Sequence, residues 1–265
     1  MGLVFMALVG CGGGDDAAGT GGSGGAAAGG GSGGSAAGSG GGGAPSGGAP
    51  SGGSGGAPIQ CNGEPTHTGE ATYYDFADGS GNCGFPATPN DLMVGAMNAT
   101  DYAGSAVCGT CAHLTGPSGE VTARIVDQCP ECKQGDIDLS PSAFAKIAAV
   151  ELGRVDISWQ YVPCTVSGPI RYFFKEGSNQ WWTAVQIRNH LNAIAKLEYD
   201  AGGGNFVAVN RESYNYFVAD QGMGPGPYSF RVTDVYGSVL TDTGIAHVEA
   251  GEVPGAAQFP VCGAN

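Results

Sequence analysis

The chain has 265 residues, 51 of them glycine, and 24 acidic side chains against 10 basic ones give a formal charge of −14. A balance this acidic excludes ordinary nucleic-acid binding, which needs a basic face, and makes anionic wall polymers poor partners. A neutral polymer suits it better.

The N-terminal run MGLVFMALVGC ends in Leu8-Val9-Gly10-Cys11 and resembles the lipobox of bacterial lipoprotein signals, although no Lys or Arg precedes it. That likeness implies acylation of Cys11 and an exported protein held at the cell surface. Gly12 rather than Asp follows the cysteine, which by the same resemblance favours the outer membrane. Residues 12–58 hold about half of the glycines, filled out by Ala, Ser and Pro, with no aromatic residue. Such a stretch cannot bury a core and is expected to be a disordered tether spanning on the order of 35–40 Å.

Setting Cys11 aside leaves eight cysteines: Cys61, Cys83, Cys108, Cys111, Cys129, Cys132, Cys164 and Cys262. Cys108-Gly-Thr-Cys111 and Cys129-Pro-Glu-Cys132 have zinc-ribbon spacing. An even count behind an export signal, with four further cysteines needing partners, favours disulfides instead. The four histidines, His67, His113, His190 and His247, show no metal-ligand spacing. No metal and no cofactor is expected.

Short strands and turns organise residues 59–163. Residues 69–74 begin as a strand and run into the turn-rich loop Asp78-Gly79-Ser80-Gly81-Asn82; a short amphipathic segment holds Met93 and Met97, expected in the core. Residues 115–119 form a turn and 121–126 alternate as a strand. Ser140 is an N-cap and Pro141 a first-turn residue of a helix over 140–147. Residues 155–162 alternate again, placing Trp159 with Val155 and Ile157 on a core face. Past a linker at 163–169, strands at 171–175, 184–188, 195–199, 206–209 and 230–233 suggest a small β-sandwich over 164–265.

Three acids could carry chemistry in the first module: Asp127, Asp136 and Asp138. Glycoside hydrolysis needs two carboxyl groups, one acid and one base or nucleophile. Each Asp also fits a turn or a helix start. In the second module, Trp181 and Trp182 stand together just before a strand. Strand parity would send one ring inward; an irregular entry to the strand would leave both outside the core.

The segments Gly69-Glu70-Ala71-Thr72-Tyr73-Tyr74, Ile125-Val126-Asp127 and Asp136-Ile137-Asp138-Leu139-Ser140-Pro141-Ser142-Ala143-Phe144 resemble the first domain of bacterial expansins. Lys175-Glu176-Gly177-Ser178-Asn179-Gln180-Trp181-Trp182 with the run to His190, Ser213-Tyr214-Asn215-Tyr216-Phe217-Val218 and Arg231-Val232-Thr233-Asp234 resemble the second. The likeness implies a mainly β protein: a six-stranded double-psi β-barrel, then an immunoglobulin-like domain of carbohydrate-binding family 63. It implies non-lytic loosening of cell walls by a monomer bound to cellulose or related neutral β-glucans. It makes Asp138 the essential acid and places Thr72 and Asp127 in the same groove. Trp181, Trp182 and Tyr214 become the aromatic platform, with Lys175 beside it. A tyrosine of the family pattern, two residues after the Asp127 position, is Cys129 here. The barrel is also similar to family 45 endoglucanases and to peptidoglycan-cleaving lipoproteins, which would use Asp138 as general acid; for the former, Asp75 and Asp78 are weak candidates as the base. Pairing of the cysteines stays open, with Cys61 and Cys164 placed to clasp the ends of the barrel.

Overall fold

The computed structural model describes residues 61, 63–75 and 77–262. The Cys11 lipidation site, the tether at 12–58 and residues 59 and 60 lie outside them.

Six strands close a barrel: β1 (His67–Tyr73), β2 (Val94–Asn98), β3 (Cys111–Gly116), β4 (Gly119–Cys129), β5 (Ile137–Leu139) and β6 (Val155–Val162). Their order is β1-β5-β2-β4-β3-β6, with β1/β5 and β2/β4 running parallel and the other neighbours antiparallel. Those two parallel pairs make the double-psi crossing. Inside lie Met97, Leu114, Ile125, Ile137, Leu139 and Trp159. Trp159 is buried as expected, and its Nε1 donates to the Gly135 carbonyl at 2.8 Å. Met97 is also core, but its segment is no amphipathic element. β2 is bonded on both sides, to β5 and β4, and is buried throughout.

Helix α1 (Ala99–Tyr102) follows β2, and α2 (Pro141–Ile147) follows β5. The Ser140 Oγ accepts the Ala143 N–H at 3.0 Å and donates to the Leu92 carbonyl, while Phe144 and Ile147 are buried against the barrel. This cap ends β5 after three residues, so Asp138 is held at the centre of a strand fixed at both ends.

Eight strands form the second sheet, β7 (Arg171–Phe174), β8 (Thr183–Arg188), β9 (Ile194–Asp200), β10 (Phe206–Arg211), β11 (Phe217–Ala219), β12 (Tyr228–Asp234), β13 (Val239–Ile245) and β14 (Glu252–Pro254). Their order is β13-β12-β9-β10-β11-β8-β7-β14. β10 pairs with β9 up to Val209 and with β11 from Asn210, so it carries the chain of hydrogen bonds from one layer to the other. Tyr172, Phe174, Val185 and Ile187 of one layer then pack on Leu197, Phe230 and Val232 of the other. That is the expected sandwich.

The eight cysteines form four disulfides, Cys61–Cys262, Cys83–Cys108, Cys111–Cys164 and Cys129–Cys132, which fit an exported protein. Neither zinc-spaced pair is left free as thiolates. Cys61 and Cys164 do not clasp the barrel together. β3 lies antiparallel to β6 with Cys111 opposite Val162, which brings Cys164 to Cys111, while Cys61 reaches the C-terminal Cys262.

Chain-entropy reasoning gives the Cys61–Cys262 link, 201 residues apart, an upper contribution of about 5 kcal/mol. The Cys129–Cys132 link, three apart, is limited to about 2 kcal/mol. Replacing both cysteines of the long link by alanine is therefore expected to lower the guanidinium midpoint clearly more than replacing both of the short one; equal shifts would refute this ranking.

Candidate functional site

Strand register assembles the barrel site. Thr72 of β1 lies opposite Asp138 of β5, Asp138 opposite Ala96 of β2, and Ala96 opposite Asp127 of β4. These residues form one row across four strands and share a face. With strands about 4.8 Å apart, the two aspartates are separated by roughly 10 Å of backbone. The small Ala96 between them leaves a floor rather than a wall.

The Thr72 hydroxyl donates to Asp138 Oδ1. Partial burial raises the pKa of Asp138 above the ordinary carboxylate range; the Thr72 bond opposes that rise, Glu131 adds to it, Arg154 opposes it, and Asp127 adds again. Asp127 is held differently: its Oδ1 accepts the Asn82 N–H at 2.6 Å and the Gln128 N–H at 2.8 Å. The third acid considered from sequence, Asp136, is not part of the row. It is buried, and its carboxylate accepts the N–H groups of Glu70 and Lys133. Asp75 is exposed, and Asp78 accepts two bonds from Ser80.

Sequence reading missed Tyr74. Its N–H extends the β1/β5 pairing by bonding the Leu139 carbonyl at 3.1 Å. Its buried hydroxyl has no hydrogen-bond partner. Burial, then the charges of Asp127, Asp138 and Asp78, raise its pKa and keep it a neutral donor. A phenol unpaired among three carboxylates is the available signal for a groove-lining residue, and only the fold assembles it. Cys129 of β4 is buried in its disulfide with Cys132.

On the sandwich, Asn179 builds the turn that presents the tryptophans. Its Oδ1 accepts the N–H groups of Trp181 and Trp182 at 2.9 and 3.2 Å, and its N–H donates to the Trp182 carbonyl at 2.7 Å. β8 begins only at Thr183. The pair therefore sits in an irregular entry, and neither ring belongs to the sandwich core: Trp181 is 72 % exposed and Trp182 half-buried. Gly222, at φ +71°, backs this turn; a Cβ there would lie 2.0 Å from the Gln180 carbonyl oxygen. Trp182 shares the parity of Ala184, Gln186 and Arg188, opposite to the core residues Val185 and Ile187. Beside them, Tyr214 stands at the β10–β11 turn, 5.8 Å from Tyr216, whose ring lies 6.0 Å from Lys175 Nζ.

One loop connects the two surfaces. Asn82, which holds Asp127 through its N–H, donates its side-chain amide to the Ser213 carbonyl at 2.8 Å, next to Tyr214. Gln186 and Asn215 both donate to the Cys83 carbonyl, at 2.8 and 3.2 Å.

The fold and the site define a two-domain protein of the double-psi barrel class, with an acid groove bonded to an aromatic-bearing β-sandwich. A family model described as lytic transglycolase matches residues 66–159, the barrel alone. Expansin-YoaJ of Bacillus subtilis is 36 % identical over 203 residues, covering 73 % of this chain and 87 % of that protein. The crystal structure of apo Clavibacter michiganensis expansin superposes with a TM-score of 0.69 at 34 % identity, covering 74 % of this chain and 99 % of that one. An aspartate-to-asparagine mutant of the same expansin, solved in complex with cellohexaose, matches with TM-score 0.69 at 33 % identity, over 74 % and 99 % of the two chains. The chain belongs to the expansin family.

Because folding raises the Asp138 pKa, its ionised form costs stability above the ordinary aspartate pKa of about 3.9, and the penalty vanishes below it. Asp138→Asn is expected to gain in melting temperature relative to the parent as pH rises from below that value to neutrality. A difference independent of pH would contradict the raised pKa.

Proposed function

We propose that this protein is a non-lytic expansin that binds cellulose or a related neutral β-glucan and loosens contacts between polysaccharide chains. The observation that carries the reading is the bonded continuity from Asp127 through Asn82 to Ser213 and Tyr214. It supports one glucan chain lying on both the acid row and the platform. The cellohexaose complex of the Clavibacter relative supports the substrate class.

Trp181, Trp182 and Tyr214 take the apolar faces of successive glucose units, and Lys175 bonds sugar hydroxyls at the edge. Asp138 acts as a hydrogen-bond or proton donor to a glycan oxygen, Thr72 orients it, Asp127 holds a hydroxyl of the same chain, and the buried Tyr74 phenol backs the acids as a neutral donor. The pKa of Asp138, raised first by partial burial, favours its protonated form relative to an ordinary aspartate. Hydrolysis also needs an activated water. Two backbone N–H groups on Oδ1 fix the Asp127 carboxylate, and it serves here as a binding group. The protein works as a monomer, tethered to the outer membrane through acylated Cys11 and the glycine-rich segment. The lytic alternative has the support of the barrel match alone, whereas the expansin relatives match over both domains.

Covering about 100 Å² of an indole face stabilises binding by about 2.5 kcal/mol. Trp181→Ala with Trp182→Ala is therefore expected to weaken binding to insoluble cellulose by at least about 60-fold. Asp138→Asn should leave binding within about twofold and abolish weakening of filter paper. Soluble sugar release by the parent that disappears in Asp138→Asn would sink the non-lytic reading. Tyr74→Phe should keep cellulose binding through the platform and reduce paper weakening several-fold; unchanged weakening would remove Tyr74 from the groove. Labelling of membranes by radioactive palmitate, lost in Cys11→Ser, tests the anchor.

A further inference from the structure

A cleft of about 590 Å³ lies between the barrel and the sandwich and shares no residue with the acid row or the aromatic platform. Phe85, Thr88 and Arg124 wall it from the barrel; Ser167, Arg171 and Arg188 wall it from the other side. Three of the ten basic residues of the chain line this one cleft, against two of the 24 acidic ones, Asp91 and Glu252. His190, also in the wall, is buried and kept neutral, its pKa pushed down to about 4 by burial. The lining thus carries one net positive charge on a strongly negative protein.

That surplus charge can be assigned to a residue. Glu252 is shared by Arg188, at 2.8 Å, and Arg171, at 3.5 Å. Arg188 is further fixed by the Gln186 amide oxygen and by the Phe173 ring, 3.6 Å from its Cζ. Arg124 has no such commitment. Its guanidinium makes one hydrogen bond, from Nη2 to Thr88 Oγ1 at 3.3 Å, and lies 5.6 Å from the Phe85 ring centre. Among the described residues no carboxylate pairs with it. A guanidinium offers five N–H donors in a planar fork that matches a carboxylate. Burial lowers its pKa, with only the more distant Asp91 charge opposing. A partly desolvated cation with most donors unused gains from an anion and loses little by binding one.

We propose that this cleft is a binding site for a sugar carboxylate, a uronic acid unit, with its carboxylate on the Arg124 fork. A single negative charge matches the lining; a phosphate dianion would meet Asp91 and Glu252 with a charge to spare. The volume falls within the span of about 300–1,000 Å³ typical of small-molecule sites. Phe85, Met93 and Val166 offer apolar wall to ring C–H groups, and Thr88, Thr122 and Ser167 offer hydroxyls. The occupant would bridge barrel and sandwich, and would let an otherwise anionic protein recognise a charged branch on a neutral chain.

Titration calorimetry of the full chain at low salt with D-glucuronate and D-glucose tests the site. Glucuronate should bind at least about tenfold tighter than glucose, and Arg124→Gln should lose that preference. Arg124→Lys keeps the charge without the fork and should lose about threefold. Unchanged melting temperature and cellohexaose binding would show that the variants remain folded. Equal binding of the two sugars, or full glucuronate binding by folded Arg124→Gln, overturns the proposal. A Trp181→Ala/Trp182→Ala background separates the sources of the ligand. Retention of glucuronoxylan but not of its carboxyl-reduced form assigns the site to polymer branches. Retention of neither, with free glucuronate bound, assigns it to the free acid. Equal retention of both removes the carboxylate as the recognised group.

Discussion

The loop at 81–85 is the constraint on which the working surface depends. It is fixed to the barrel by the Cys83–Cys108 disulfide and by the bond from Asn82 N–H to Asp127. It is fixed to the sandwich because Gln186 and Asn215 spend buried side-chain amides on one carbonyl, that of Cys83. Buried amides without partners would each cost roughly 1–3 kcal/mol, so the two domains are held in the orientation that satisfies them. Tyr102 reinforces the seam by donating to the Ser213 carbonyl, and Ser105 by donating to that of Glu212. The acid row and the strands of the sandwich, distant in sequence, are thereby joined through one loop.

Within the barrel the same economy recurs at smaller scale. Parallel pairing of β1 with β5 puts Thr72 on Asp138, and the capped start of α2 stops β5 one residue later. Partial burial and neighbouring acids favour a protonated Asp138, while Thr72 tempers them. Tyr74, directly after β1, adds a buried neutral phenol near these acids.

Both domains contribute to the interdomain cleft as well, which gives the seam two faces of opposite character. On one, Asn82 and Ser213 join acids to aromatics; on the other, Arg124 is left with a fork and no carboxylate. Two carboxylates, Asp91 and Glu252, also line that cleft, and neither pairs with Arg124.

Much of this was determined by the sequence alone. Alternation over 155–162 located β6 and made Trp159 core, and the Ser140-Pro141 pair located α2, because these signals act through neighbours in the chain. The even set of cysteines behind an export-like leader indicated disulfides, and the motif run around Trp181 and Trp182 indicated the family. What only the tertiary structure decided are the relations between distant residues. β2 and β5 are too short and too buried to show a period, yet they seat Ala96 and Asp138 in the row with Thr72 and Asp127. Asp136, adjacent to that row in sequence, turned inward because two backbone N–H groups needed its carboxylate. Cysteine partners, the unpaired Tyr74 hydroxyl and the surplus charge at Arg124 follow from strand register and closure of the barrel. No local pattern of side chains encodes such long-range pairings, since each residue meets its partner only when the whole chain has folded.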